Sequence, residues 1–250
     1  AYVPTNGLVG WWPFNGNAND ESGNGYNGTV NGATLIADRF GNTNAAYGFD
    51  GTNDYILING LPTNYTSYTI ATWAEANVIN QTISGIAVQT GIKNGTKYGS
   101  YGIRARDQGD RFIGVHRNAA ATLQGIDPLI PQSTILHHYV QTWTGSAVHL
   151  YLDGVLVKTV NIPTIGIVST EFCLGALFGS SIASFFNGSV DDVGVWSRAL
   201  NACEIQDLYN AQLNSSVFTA TQTGALLTAD QAGATYQWLD CDNNDAEING

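Results

Sequence analysis

The chain has 250 residues, with 20 acidic against 9 basic side chains and a formal net charge of −11. Lys and Arg are scattered, so the positive footprint required by nucleic acid or an anionic membrane is missing, and neither is an expected partner. With 44% hydrophobic but only 12% charged residues, and 29 Gly beside 12 Tyr and 6 Trp, the composition suits one large all-β domain of short strands joined by Gly and Asn turns.

No run approaches the roughly 18 apolar residues of a membrane span. The opening AYVPTNGLVG has no charged region followed by an apolar one. A soluble chain, secreted or at the cell surface and with any export signal already removed, is therefore expected.

The first chemically dense segment runs from Asn15 to Gly28 and holds Asp20, Glu21, five Asn and four Gly. Hard cations take six to eight oxygens, some from backbone carbonyls that Gly-rich turns can aim inward. The spaced acidic ladder of an EF-hand is missing, so a cation here needs a ligand from elsewhere in the chain. The alternative is that Asp20 and Asn24 close Asx-type turns. Asp50 and Asp54, in Phe49 to Tyr55, are read as turn residues for the same reason.

Strands are predicted at Tyr55 to Ile58, Tyr68 to Ala74, Ile83 to Gln89, Tyr101 to Ala105, Arg111 to His116, His138 to Trp143, Ala147 to Leu152, Phe172 to Leu177 and Gly188 to Trp196. These runs are rich in β-branched and aromatic residues and are bounded by Gly, Asn, Asp or Pro. In the middle strands Arg104 and Arg106 alternate with Ile103 and Ala105, and Tyr98, Tyr101, His116 and Arg117 are close in sequence. Aromatic rings and guanidinium groups on one face could stack on sugars and bond their hydroxyls or acidic groups. A plain solvated sheet face is the alternative. His137-His138 is read as a strand-edge pair, because a metal would need a third ligand.

Val148 to Val157 reads as two alternating strands around Asp153-Gly154, a strong hairpin signal. In Gly188 to Trp196, period-2 alternation places Asp191 on one face with Val193 and Val195, where a buried carboxylate needs a partner. That makes Asp191 the candidate to complete a cation site, although hydrogen bonding at a bulge would serve it equally. One helix is predicted, with Asn201 as N-cap, Glu204 completing a capping box, and Ile205, Leu208, Tyr209 and Leu213 at helical spacing. Cys173 and Cys203 could pair if the fold brings them together, leaving Cys241 odd. After about Asn214 a Ser/Thr/Gln/Gly-rich stretch precedes renewed alternation at Ala234 to Leu239, so residues 1–213 are read as one domain and 214–250 as a linker and the start of an incomplete β module.

Catalytic motifs are scarce. A glycosidase needs two carboxylates about 5 to 9 Å apart, yet Glu21, Glu75, Glu171, Glu204 and Glu247 are isolated from one another. Asp107 and Asp110 flank Gln-Gly and are read as a hairpin turn. No G-x-S-x-G, H-E-x-x-H or P-loop occurs.

Four blocks in order resemble the laminin-G-like branch of the concanavalin A-like lectin/glucanase superfamily: GLVGWWPFNGNANDESGNGYNG, AAYGFDGTNDYI, LHHYVQTWTGSAVHLYLDGVLV and FFNGSVDDVGVWSRALNACEIQDLY. The resemblance spans roughly residues 7 to 213. It implies a two-sheet antiparallel jelly-roll sandwich with one short C-terminal helix, often holding one calcium ion. In that reading Asp20, with Ser22 and Asn24 of its Asp-x-Ser-Gly loop, meets Asp191 near one end of the sandwich, and Ca²⁺ ties the first strand to the last. The tail GALLTADQAGATYQWLDC resembles the start of immunoglobulin-like repeats of secreted Bacteroidetes proteins, in which the partner of Cys241 would lie beyond residue 250. The expected role is a non-catalytic glycan-binding or adhesion module of a larger protein, with a glycan or cell-surface polysaccharide as partner. The alternatives are a polysaccharide-degrading enzyme and a structural or protein-interaction spacer.

Overall fold

The structure, a computed structural model, describes residues 2–79, 83–106, 111–179 and 181–213, together with the short strand segments 220–223, 226–229, 239–240 and 246–247. In chain order the strands are β1 (Leu8–Trp12), β2 (Gly28–Asn31), β3 (Thr34–Ile36), β4 (Ala46–Asp50), β5 (Tyr55–Ile58), β6 (Tyr68–Ala76), β7 (Ser84–Lys93), β8 (Thr96–Arg106), β9 (Arg111–Arg117) and β10 (Leu123–Ile126). They continue with β11 (His137–Trp143), β12 (Ala147–Leu152), β13 (Val155–Asn161), β14 (Ile167–Leu174), β15 (Leu177–Phe178), β16 (Ile182–Ala183) and β17 (Asn187–Trp196), before helix α1 (Ala202–Leu213).

Two antiparallel sheets face each other. The eight-stranded sheet runs β13-β12-β11-β6-β17-β4-β3, with β1 also pairing β17, and the seven-stranded sheet runs β10-β9-β8-β7-β14-β5-β2. The expected jelly-roll sandwich is thus present. Its interior is a continuous apolar layer that includes the fully buried Trp12, Phe14, Ile56, Ile58, Phe172 and Phe186. Each such side chain contributes roughly 1.5–3 kcal/mol by leaving water.

The hairpin and the helix form from local signals. Asp153 and Gly154 both take positive φ, 50° and 78°, as a two-residue turn twisted to match its strands requires. At α1 the reciprocal capping box is complete: the Glu204 amide donates to Asn201 Oδ1 (2.8 Å) and the Asn201 amide to Glu204 Oε2 (3.0 Å). The helix lies on the outer face of the eight-stranded sheet, where Ile205 and Leu208 join Trp11, Ala71, Val140 and Trp196 in a second apolar cluster. Gly194 permits this, because a Cβ there would come within 2.3 Å of the Trp196 ring.

Strict alternation fails in β17. Asp191 pairs with Trp73 and Gly194 with Ala71, so Asp192 and Val193 together oppose the single Thr72. This bulge, with Asp192 at φ 45°, resets the phase. Val190, Val193 and Val195 all enter the core, whereas Asp191 is sent to the other face, opposite its expected partners Val193 and Val195. The bulge sits where β17 changes neighbours, from β4 at residues 187–190 to β1 at residues 193–196.

Other differences follow from packing. The strand expected at Phe172 to Leu177 ends at Leu174, and Leu177 instead opens the β15–β16 hairpin. Cys173 is a free, fully buried thiol while Cys203 is disulfide-bonded, so the two do not pair with each other. Cys241 and most of the Ala234 to Leu239 run fall outside the described residues. Of the tail, β18 (Ala220–Thr223) pairs β19 (Leu226–Ala229), and β20 (Leu239–Asp240) pairs β21 (Ala246–Glu247).

Candidate functional site

The Asp-x-Ser-Gly loop is built against β1. Asp20 Oδ1 accepts the amides of Trp11 (3.0 Å) and Ser22 (2.8 Å), and Oδ2 accepts that of Tyr26 (2.9 Å). Ser22 Oγ donates to the Val9 carbonyl, and Asn24 Nδ2 donates to the carbonyls of Leu8 and Val9. Partial burial raises the Asp20 carboxyl, but the hydrogen bonds from Trp11, Ser22 and Tyr26 outweigh it and hold the group below the usual carboxylate range. An ionised carboxylate ringed by N–H donors already has its charge satisfied.

Asp191 belongs to a different assembly. Arg39, from the β3–β4 connection, fills the gap beside the β17 bulge: Nη1 donates to Asp191 Oδ2 (2.5 Å), Nη2 to Asp192 Oδ2 (2.7 Å) and Nε to the Gln212 carbonyl (2.7 Å). Its guanidinium lies 4.6 Å from the Trp73 ring centre, and Trp73 Nε1 donates to Gln212 Oε1 (2.6 Å). Burial, then the neighbouring Asp192 charge, raise Asp191 to about 8 against the pull of Arg39. Two buried acids share one cation, so this group of side chains retains a proton near neutrality.

Asp20, Ser22, Asn24 and Asp191 therefore do not form one oxygen cage. The first three close backbone turns onto β1, and the fourth is neutralised by an arginine. Among the described residues no group of three or more His, Cys, Asp or Glu side chains could hold a metal ion. The donors present do not fit a calcium ion bridging Asp20 and Asp191.

The six candidate sugar contacts separate into two populations. Tyr101 and His116 are core residues, 2% and 0% exposed, and not outward positions. His116 Nδ1 meets the Tyr68 hydroxyl (2.8 Å) and Nε2 the Thr164 carbonyl (3.0 Å), and burial pulls the ring down to about 4, so it is neutral. Both positions follow from plain alternation, Tyr101 sharing the inward face of β8 with Ile103 and Ala105 and His116 that of β9 with Phe112. Just beyond Tyr101 a register shift, with Gln89 facing Tyr101 but Thr90 facing Gly99, leaves Ser100 as an extra residue. Arg104 is half-buried on the outer side, opposite Ile113. The Arg106 side chain falls outside the described residues.

Tyr98 and Arg117 do come together. Tyr98 is 43% exposed, and the guanidinium of the nearly buried Arg117 stands 5.4 Å from its ring centre. Arg117 Nε donates to Ser100 Oγ (2.9 Å) and Nη1 to the Ala121 carbonyl. One face of an exposed tyrosine is thus backed by a rigidly held cation. On the same stretch of β8, Lys97 is paired with Glu171 and lies 5.5 Å from the Phe178 ring centre. Glu171 also accepts from Ser169 Oγ.

Asp50, Asp54 and His137 have structural partners. Asp50 Oδ1 accepts the Thr52 and Asn53 amides, and the buried Asp54 accepts the Asp50 amide, as turn residues should. His137 pairs with Asp153 (2.6 Å) at the strand edge. His138, expected at an edge, is instead fully buried between Trp73 and Tyr209, and burial together with Arg39 lowers it to about 3. Asp107 and Asp110 fall outside the described residues.

Sequence reasoning missed Arg39, Ser100 and Gln212. Gln212 could have been found, since it continues the buried helix face of Ile205 and Leu208. Arg39 carries no such signal, because its partners are more than 150 residues away.

Residues 50–206 match a laminin-G-type family model described as the concanavalin A-like lectin/glucanases superfamily. No curated protein matches the chain in sequence. Among solved structures, the chain is similar to the receptor-binding domain of botulinum neurotoxin C/D mosaic serotype, with TM-score 0.64 and 14% identity over 87% of this chain and 54% of that one. It is also similar to domain 4 of an extracellular GH43 arabinanase from Geobacillus stearothermophilus, solved with arabinotriose, with TM-score 0.62 and 17% identity over 81% and 98%. A third is the binding domain of botulinum neurotoxin DC in complex with SialylT, with TM-score 0.62 and 15% identity over 86% and 53%. The chain thus spans about half of each toxin domain and nearly all of the arabinanase domain.

Proposed function

The chain belongs to the laminin-G-type family of the concanavalin A-like lectin/glucanase superfamily, and from that membership we propose that it is a non-catalytic carbohydrate-binding module of a larger secreted or cell-surface protein. The observation that carries the reading is Tyr98. An exposed aromatic ring, backed by the Arg117 guanidinium and fixed through Ser100 and Ala121, is a preorganised platform for the apolar face of a sugar. The arabinanase domain solved with arabinotriose and the toxin domain solved with SialylT have the same fold, which supports a glycan as the ligand class.

Against hydrolysis, Glu171, the carboxylate paired with Lys97 beside Tyr98 on β8, is tied also to Ser169 and kept ionised. Burial raises it, but the Lys97 and Ser169 hydrogen bonds prevail. That leaves it a poor general acid at neutral pH.

The test is a glycan array followed by calorimetry, with the wild type and Tyr98→Ala. A ligand is expected for the wild type, its affinity falling about tenfold in the variant as a stacking contact is lost. New reducing ends, or affinity unmoved by Tyr98→Ala, would overturn the reading.

A further inference from the structure

Arg117 differs from the other paired cations of the protein. Arg39 is held by Asp191 and Asp192, Lys97 by Glu171, Arg111 by Asp127, and Arg198 by Glu204. Arg117, only 6% exposed, donates to neutral oxygens alone, Ser100 Oγ and the Ala121 carbonyl. No carboxylate among the described residues faces it. Its titratable neighbours in space are the phenols of Tyr98 and Tyr101, and burial, the dominant influence, weakens its hold on the proton.

A buried charge is normally paired, because removing it from water without a counter-charge is costly. In a chain with 20 acidic residues and a net charge of −11, a cation without an acid is an unusual arrangement. The Nη2 group makes no protein hydrogen bond among the described residues, and it sits beside the exposed Tyr98 ring. A planar guanidinium with free N–H donors recognises carboxylate and sulfate groups.

We infer that Tyr98 and Arg117 form an acidic-sugar subsite: a sugar ring stacks on the Tyr98 face turned away from the guanidinium, while its carboxylate or sulfate reaches past the ring edge to accept hydrogen bonds from Arg117 Nη2. The inference rests on the carbohydrate-binding reading of the same site and adds the class of sugar. Attraction is local, since the net charge of the protein repels a long polyanion at distance. Short oligosaccharides carrying one acidic residue are therefore the suitable probes.

Calorimetry would compare three matched probes: a uronic-acid-containing oligosaccharide, its neutral methyl ester, and a singly sulfated counterpart. The wild type is expected to bind an acidic probe at least tenfold more tightly than the ester, with the carboxylated and sulfated arms showing which anion fits. Arg117→Gln should reduce that ratio to about one, and Tyr98→Ala should weaken acid and ester alike. Equal binding of acid and ester by the wild type would overturn the inference while leaving carbohydrate binding intact. A preference that survives Arg117→Gln would also overturn it. If Arg117→Gln does not fold, the wild-type ratio alone still decides. Failure of every acidic and neutral probe would instead bring down the carbohydrate-binding reading itself.

Discussion

Replacing Asp20 by Ala tests whether its carboxylate serves the backbone or a metal. Three amides, from Trp11, Ser22 and Tyr26, would lose their acceptor. A hydrogen bond to a charged group contributes about 1.5–3 kcal/mol when well buried, and the partial exposure of Asp20 reduces that by roughly half. The sum is about 3 kcal/mol, which in a domain of this size lowers Tm by roughly 6–12 °C. A calcium ion at a hundredfold its Kd would supply about 2.7 kcal/mol, so size alone does not separate the two roles. Calcium dependence does. Thermal unfolding followed by circular dichroism should give the same wild-type Tm in excess calcium and in chelator, and the same loss for Asp20→Ala in both. Because the folded pKa of Asp20 is depressed, its stabilisation is present above the unfolded value and disappears as pH falls through the folded one. A wild-type Tm that rises by several degrees with calcium, or an Asp20→Ala Tm within about 2 °C of wild type, would refute the backbone-clamp account.

Three further outcomes are expected. Asp191 is raised to about 8, so the stability it contributes is full below its unfolded pKa of about 3.9 and is lost as pH rises through about 8. Wild-type Tm should therefore fall from about pH 4 to about pH 8 and level off above it, and Asp191→Asn should flatten that slope in a pH series of melts. Asn201→Ala removes half of the capping box and should cost about 1 kcal/mol, read as a lower urea midpoint with unchanged slope. Cys173 is fully buried, with its thiol pushed up to about 12 by burial. A thiol reagent should leave it unmodified in the folded protein and label it only at the rate of unfolding.

Features governed by neighbouring residues were legible in the sequence. The Asp153-Gly154 hairpin depends on two residues that tolerate positive φ, and the Asn201–Glu204 box spans three positions. The Asp-x-Ser-Gly loop was recognisable as a compact polar turn, yet whether its oxygens face a cation or amides depends on how β1 lies against it. Of the candidate sugar contacts, Tyr98 and Arg117 lie together with the tyrosine exposed, whereas Tyr101 and His116 lie in the core.

What the sequence by itself determined is the alternation of the strands, the turns, the cap and the all-β class, since each follows from periodicity or from the φ preferences of a few adjacent residues. What only the tertiary structure decided is phase and company. One extra residue at Asp192–Val193 reverses which side chains of β17 face inward, because a period of two turns every later residue over when a single one is inserted. The pairing of Arg39 with Asp191 was likewise settled by strand order: β17 changes neighbours at that point, leaving a gap that the distant loop fills.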